Sequence, residues 1–399
     1  MTYFDLQDWT PADFADPYPR YRAFREQGPV HRGTDGAWWV FDHRTTREVL
    51  LSRDFGHGTD RPKVPGCPAI NRTVNDWPVF MNPPRHTAIR KLISPPFLPK
   101  AVTDRRPRIR QIAEEMAAKL AAQPDFDLVT EFAVPFPVRV VAELLGTPAE
   151  EGAWLSERLT GLREIARMPT AGMPVPPDYP RAEQAAVELA EFVGELIVAR
   201  RRRPRTDLIS ALTREREWSD EELAHTCVSV LIAAHDSAAT LIAKAVLALH
   251  RFPRLRQRLR EEPTLMPEAV EEIARYDSPV QLISRAALRD TELAGHRIRR
   301  DEVVVLLLGA ANRDPGEFDA PDEPRLGRPA NPHLAFSVGL HFCLGAHLAR
   351  AQAAIGLHAL LTALPRMRVL EDTVEYGNYL AFHGPLHVQV RTADQGDPA

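Results

Sequence analysis

Apolar residues are densest over residues 227–249, inside a helical pattern that runs from 219 to 250. That stretch also holds His235, Asp236 and Lys244, so it reads as a buried core helix and not as a membrane span. Ser219 or Asp220 stands where its N-cap belongs. Helical periodicity recurs over 16–26, 44–51, 84–92, 101–122, 132–145, 148–166, 179–202, 253–262, 267–276 and 344–363. Strand-like pieces are shorter: 37–41, 126–128, 282–308 with a break at Gly295, 367–370 and 386–391. The stretches 53–83, 168–180 and 315–332 are rich in Pro, Gly and Asn and read as loops, the first two as lids over a pocket. The pattern predicts a mainly α chain with small β-sheets assembled from distant pieces. No repeat or linker divides it, so residues 1–399 read as a single domain.

Composition narrows the classes. The 399 residues carry a formal net charge of −4, which gives no overall pull toward nucleic acid or a membrane surface. Three cysteines, Cys67, Cys227 and Cys343, are too few and too scattered for a disulfide framework and fit a reducing compartment. Residues 1–14 are mixed and acidic, without the basic and apolar regions of a signal peptide, so the expected location is cytoplasmic.

The chemistry gathers around Cys343. It ends a glycine-punctuated loop just ahead of the 344–363 helix, where unpaired N–H groups and the helix dipole favour a thiolate. Gly339 permits a turn with positive φ, and Gly345 lets a flat object approach the backbone. A thiolate so placed suits an axial ligand to haem iron, although buried cysteines at loop–helix junctions are also purely structural elsewhere. The order Phe336, Gly339, His341, Cys343, Gly345 resembles the haem-binding signature of the cytochrome P-450 superfamily. The resemblance extends over essentially the whole chain and implies that superfamily's fold, with haem b between the long central helix and the cysteine loop.

Further motifs take roles from that resemblance. Glu272 and Arg275, at i and i+3, can pair. They match the superfamily's Glu-x-x-Arg, which supports the cysteine loop. Its third partner, an arginine in the loop upstream of the cysteine, is replaced by Glu323, which leaves Arg325 and Arg328 as alternatives. His86 and Arg90, at i and i+4, present two donors on one face. With Arg285 and His341 they match residues that grip the haem propionates. The run Ala233-Ala234-His235-Asp236-Ser237 resembles the superfamily's oxygen-binding stretch, in which an acid and a hydroxyl deliver protons. Ser237 stands in place of the usual Thr, and Thr240 is a second candidate hydroxyl. Lys91, Lys100 and the charged run 104–110 read as a solvated face or as a dock for an acidic ferredoxin.

The implied activity is a haem–thiolate monooxygenase that hydroxylates, epoxidises or otherwise oxidises a hydrophobic or aromatic small molecule of secondary metabolism. No Gly-x-Gly-x-x-Gly follows a strand, so electrons from NAD(P)H have to arrive through separate proteins, a ferredoxin and its reductase. Pocket walls are expected from 71–80, 168–180, 231–236, 280–283 and 379–383, including Asn71, Asn75, Ile232, Ala233, Val280, Ile283 and Phe382, with Gln281 and His383 as further polar points. Two other classes share the cysteine. One is a peroxide-driven or non-hydroxylating haem–thiolate enzyme, which commonly lacks the acid–hydroxyl pair. The other is a non-enzymatic haem-based ligand binder, which needs neither that pair nor a ferredoxin face.

Overall fold

The computed structural model describes residues 3–58, 64–162, 179–215 and 217–392. Its axis is the helix Asp220–Arg251. A capping box starts it: Ser219 Oγ accepts from Glu222 N–H at 3.1 Å, and the Glu222 carboxylate accepts from Ser219 N–H at 2.9 Å. Three acidic residues in its first turn and His250 and Arg251 in its last complement the dipole. The helix is long and apolar enough to cross a membrane, but most of its apolar window is buried inside the protein.

Around this axis pack the helices Pro135–Leu145, Tyr179–Arg202, Met266–Tyr276 and Ala346–Ala363, and a further long helix, Pro99–Ala121, lies along Ala346–Ala363. One hydrophobic core draws on residues from Val64 to Val390. Two smaller cores lie on the two faces of a five-stranded sheet with the order Val30–Arg32, Trp38–Val40, Val303–Leu307, Leu282–Ala287, Phe55–Gly56. Only the Trp38–Val40 and Val303–Leu307 pair is parallel.

Most helices lie within a few residues of their sequence-predicted ranges. The differences have local causes. The loop expected over 53–83 contains the helix Pro68–Asn75, which buries Ile70 and Val74 and takes Pro68 in its first turn. Residues 59–63 of that loop lie outside the described residues, as does the 168–180 break except for Tyr179 and Pro180. The helix expected from 132 begins at Pro135, after a π-helical turn Val129–Ala133 in which Val134 N–H reaches back to Val129 O. Sequence pattern misses the short helices Pro11–Ala15 and Leu208–Leu212, each held by a capping side chain, Thr10 and Asp207. Cys67 and Cys227 are buried and unpaired.

Candidate active site

The cysteine loop is closed by one bond: Cys343 N–H donates to Phe336 O at 2.9 Å. Gly339 turns it with φ of 74°, and a Cβ there would sit 2.8 Å from Leu50 O, so only glycine fits. The helix Ala346–Ala363 leaves directly from the loop, and Arg350 on its first turns lies 4.2 Å over the Phe336 ring. Gly345 N–H donates to the Cys343 sulfur. Burial pushes the Cys343 thiol above its ordinary value and outweighs the Gly345 N–H and the charges of Arg90 and Arg350.

Glu272 and Arg275 form a fully buried bidentate pair at 2.8 and 2.9 Å. Arg275 also donates to the carbonyls of Asn312, Pro321 and Glu323, which stitches its helix to the loop upstream of the cysteine. The third partner is Arg328, whose Nε donates to Glu272 Oε1 at 2.7 Å. Arg325 supplies only its backbone N–H to Glu272 and turns its side chain outward to Asp319 and Glu323.

His86, Arg90, Arg285 and His341 come from three distant segments and meet in one place. The His86 and His341 rings are 4.2 Å apart. Arg90 donates to Phe342 O. Arg285 is buried on the strand Leu282–Ala287 and donates to Ser284 O at 2.8 Å. Among the described residues no carboxylate pairs with Arg90 or Arg285, and His86 Nδ1 is buried without a hydrogen-bond partner. Burial pulls the Arg285 guanidinium down to about 10. His341 is pushed down to about 3, first by burial and then by Arg285, His86 and Arg90.

On the axis helix every residue from 223 to 249 is buried except Ala233, Ala234 and Ser237. These occupy i, i+1 and i+4, one narrow face of small side chains in the middle of a core helix. Ser237 Oγ donates back to Ala233 O at 3.2 Å, the bond that loosens a helix locally. Asp236 beside it is buried. Thr240 is also buried, packed where a Cβ on Gly384 would come within 2.5 Å of its Oγ1, so it lies against the chain and outside the open face.

Comparison with known proteins gives the same answer. The family model described as "Cytochrome P450" matches residues 173–364. The biotin biosynthesis cytochrome P450 of Bacillus subtilis is 32% identical over 381 residues, covering 92% of this chain and 94% of its own. The mycinamicin IV hydroxylase/epoxidase of Micromonospora griseorubida is 35% identical over 398 residues, with 93% and 94% covered. The chain belongs to the cytochrome P450 family. Its fold superposes on P450BioI, solved in complex with an acyl carrier protein ligated to hexadec-9Z-enoic acid, with a TM-score of 0.89 at 31% identity, over 96% of this chain and 99% of that one.

This P450 is accordingly a monooxygenase with haem b as cofactor and NAD(P)H as the source of electrons through redox partners. The residues present fit that group. Buried cations without carboxylate partners, and an imidazole nitrogen without a hydrogen bond, are costly alone and suit a ligand that carries two carboxylates. A Cβ on Gly345 would meet nothing within 4 Å, and the uncovered face of the axis helix is lined by the smallest side chains.

The expected pocket residues divide. Ala233 is on the open face, and Ile232 is turned into the core. Val280 and Phe382 meet in an isolated β-bridge, and Ile283 is half-buried on its strand. Asn71 uses both ends of its amide on the Val64 backbone, and Asn75 is exposed. Gln281 and His383 are corrected. Both are buried and bonded inside the chain, Gln281 to the Tyr18 hydroxyl and Ser278 O, and His383 to Lys244 and Phe14 O. The basic cluster lies on the helix beside Ala346–Ala363. There Lys100 and Arg108 pair with Asp104 and Glu143, while Arg106 and Arg110 stay exposed, as does Lys91 on the preceding helix Arg85–Ile93.

Proposed function

We propose that this P450 oxidises a hydrophobic or aromatic small molecule of secondary metabolism, using Asp236 and Ser237 to deliver protons and Cys343 to hold the iron. Haem held by a thiolate supplies the activation of dioxygen for insertion into C–H or C=C bonds. His86, Arg90, Arg285 and His341 bind its carboxylates. The observation that carries the proton role is Ser237 on the uncovered face, bonded to Ala233 O. Its proton is given to that carbonyl, so its lone pairs are offered to whatever lies against the face, and Asp236 one residue earlier supplies the exchangeable proton. An acid–hydroxyl pair in this position favours dioxygen over peroxide as the oxidant. The hydroxylase/epoxidase relative supports the reaction class.

Electrons arrive from a ferredoxin that docks on the basic face of Lys91, Arg106 and Arg110, by charge complementarity that weakens with salt. The chain works as one cytoplasmic domain. The test is spectroscopic and then catalytic. Reduced protein with carbon monoxide gives a red-shifted Soret band, and turnover with a surrogate ferredoxin pair exceeds turnover with peroxide alone. A Soret band without the shift refutes the cysteine assignment, and peroxide turnover equal to the ferredoxin-driven rate refutes the proton role.

A further inference from the structure

We propose that His57 is a further haem-positioning residue, an imidazole that completes the carboxylate cradle by fixing His341 between itself and His86. The proposal rests on the haem reading above. The backbone argument comes first. In the ladder that joins Phe55–Gly56 to Leu282–Ala287, Phe55 pairs with Ala287 and Gly56 with Ala286. One more step of that antiparallel register sets His57 level with Arg285. The Asn82 side chain grips His57 from the other side, accepting from its N–H at 3.0 Å and donating to its carbonyl at 2.6 Å. Asn82 O in turn accepts from His86 N–H at 3.0 Å. One residue therefore holds His57 and opens the helix that carries His86 and Arg90. Gly56 makes the grip possible, because a Cβ there would fall 2.9 Å from Asn82 Oδ1.

The ring geometry completes the case. His57 is 8% exposed. Its ring stands edge-on to His341, with centroids 4.9 Å apart and planes at 86°, and edge-on to Phe80 at 5.7 Å. The His341 ring also lies 4.2 Å from that of His86, tilted at 48° to it. Three imidazoles from three segments thus meet through His341, beside Arg285 and Arg90. An edge-on aromatic would satisfy the packing, but only an imidazole adds a hydrogen-bonding edge to this polar group. His57 acts on the haem carboxylates through the orientation it gives His341.

Haem transfer to excess apomyoglobin tests this, with wild type, His57→Phe, His57→Gln and Asn82→Ala each loaded with haem and with its dimethyl ester. His57→Phe is expected to release haem about tenfold faster or more, the size of one hydrogen bond to a charged group. His57→Gln is expected to stay near wild type, and the esterified cofactor should erase the difference between His57→Phe and wild type. A His57→Phe release rate equal to wild type overturns the proposal. So does a difference that survives esterification, which would mean packing alone. Should His57→Phe not fold, Asn82→Ala decides: faster release that depends on free carboxylates supports the role, and unchanged release overturns it. Wild-type protein that takes up no haem overturns the haem reading itself, an outcome separate from any comparison of release rates.

Discussion

Arg328→Met measures which arginine has replaced the one missing at position 323. Arg328 has a side chain only 9% exposed and donates to Glu272 Oε1 at 2.7 Å, to Asp319 O at 2.6 Å and to the carbonyls of Ala320 and Glu323 at 3.2 Å. Its removal does not orphan Glu272, which keeps Arg275 at 2.8 and 2.9 Å, the Arg325 N–H at 2.8 Å and Asn331 at 3.2 Å. The loss is one hydrogen bond between charged groups plus carbonyl bonds that water can largely replace. That comes to about 2–3 kcal/mol. Arg325→Met removes a side chain that is 45% exposed and paired only with exposed acids, and should cost under about 1 kcal/mol. Arg275→Met breaks a fully buried pair and strands several carbonyls, at about 3–5 kcal/mol. The assay is urea unfolding of the haem-loaded protein, followed in parallel by Soret absorbance and far-UV circular dichroism. An Arg325→Met cost equal to that of Arg328→Met would refute the reasoning.

Ser237→Ala should lower product formed per NAD(P)H consumed and raise peroxide release, whereas Ser237→Thr, which adds the stiffening methyl, should couple at least as well as wild type. Asp236→Asn should slow turnover about a hundredfold with a larger solvent isotope effect, and unchanged coupling in both Ser237→Ala and Asp236→Asn would remove the pair from the mechanism. Glu271 gives a pH prediction. Burial raises its pKa, but hydrogen bonds from His333 and Arg350 and their charges outweigh that and hold it at about 2 against an ordinary 4.5. A depressed folded value stabilises the protein fully above pH 4.5 and loses that contribution as pH falls toward 2, on the order of 3 kcal/mol in all. Glu271→Gln should therefore flatten the acid-unfolding slope in that window, checked by stability against pH.

The long helix was legible because its apolar run is long and its cap is explicit, and Cys343 because a glycine-spaced loop before a helix is a restrictive pattern. What stayed hidden depends on contacts between distant segments. Nothing local distinguishes Arg328 from Arg325, since the choice is made by the path that brings Arg328 back to Glu272. Gln281 and His383 look like polar points in an apolar wall, yet tertiary packing turns both inward to Tyr18 and Lys244. His57 stands after a two-residue strand too short to show a period, and its one sequence signal is the Gly56-His57 step, whose meaning depends on Asn82. The helix Pro68–Asn75 was lost among turn-forming residues because its burial, not its propensity, makes it a helix.

One short helix explains how these parts keep their spacing. Glu271 and Glu272 on Met266–Tyr276 are consecutive and so point to different sides. Glu272 binds Arg328 and Asn331, upstream of the cysteine loop. Glu271 binds Arg350, downstream of it, at 2.5 and 2.7 Å. Arg350 covers Phe336, whose carbonyl holds Cys343 N–H, so the loop is clamped from both ends by adjacent residues. At the end of the same helix Asp277 takes Lys244 of the axis helix at 2.6 Å and the Tyr18 hydroxyl at 2.9 Å. Lys244 is two turns beyond Ser237, and its other bonds, to Ser278 O and His383, leave its ammonium fully occupied. Apolar packing alone would join the axis helix to the cysteine helix but would tolerate sliding between them. Directed bonds from one helix to both partners fix the gap between Ser237 and Cys343, and that gap is where the cofactor and its substrate have to fit. This accounts for a buried lysine in the most apolar segment of the chain.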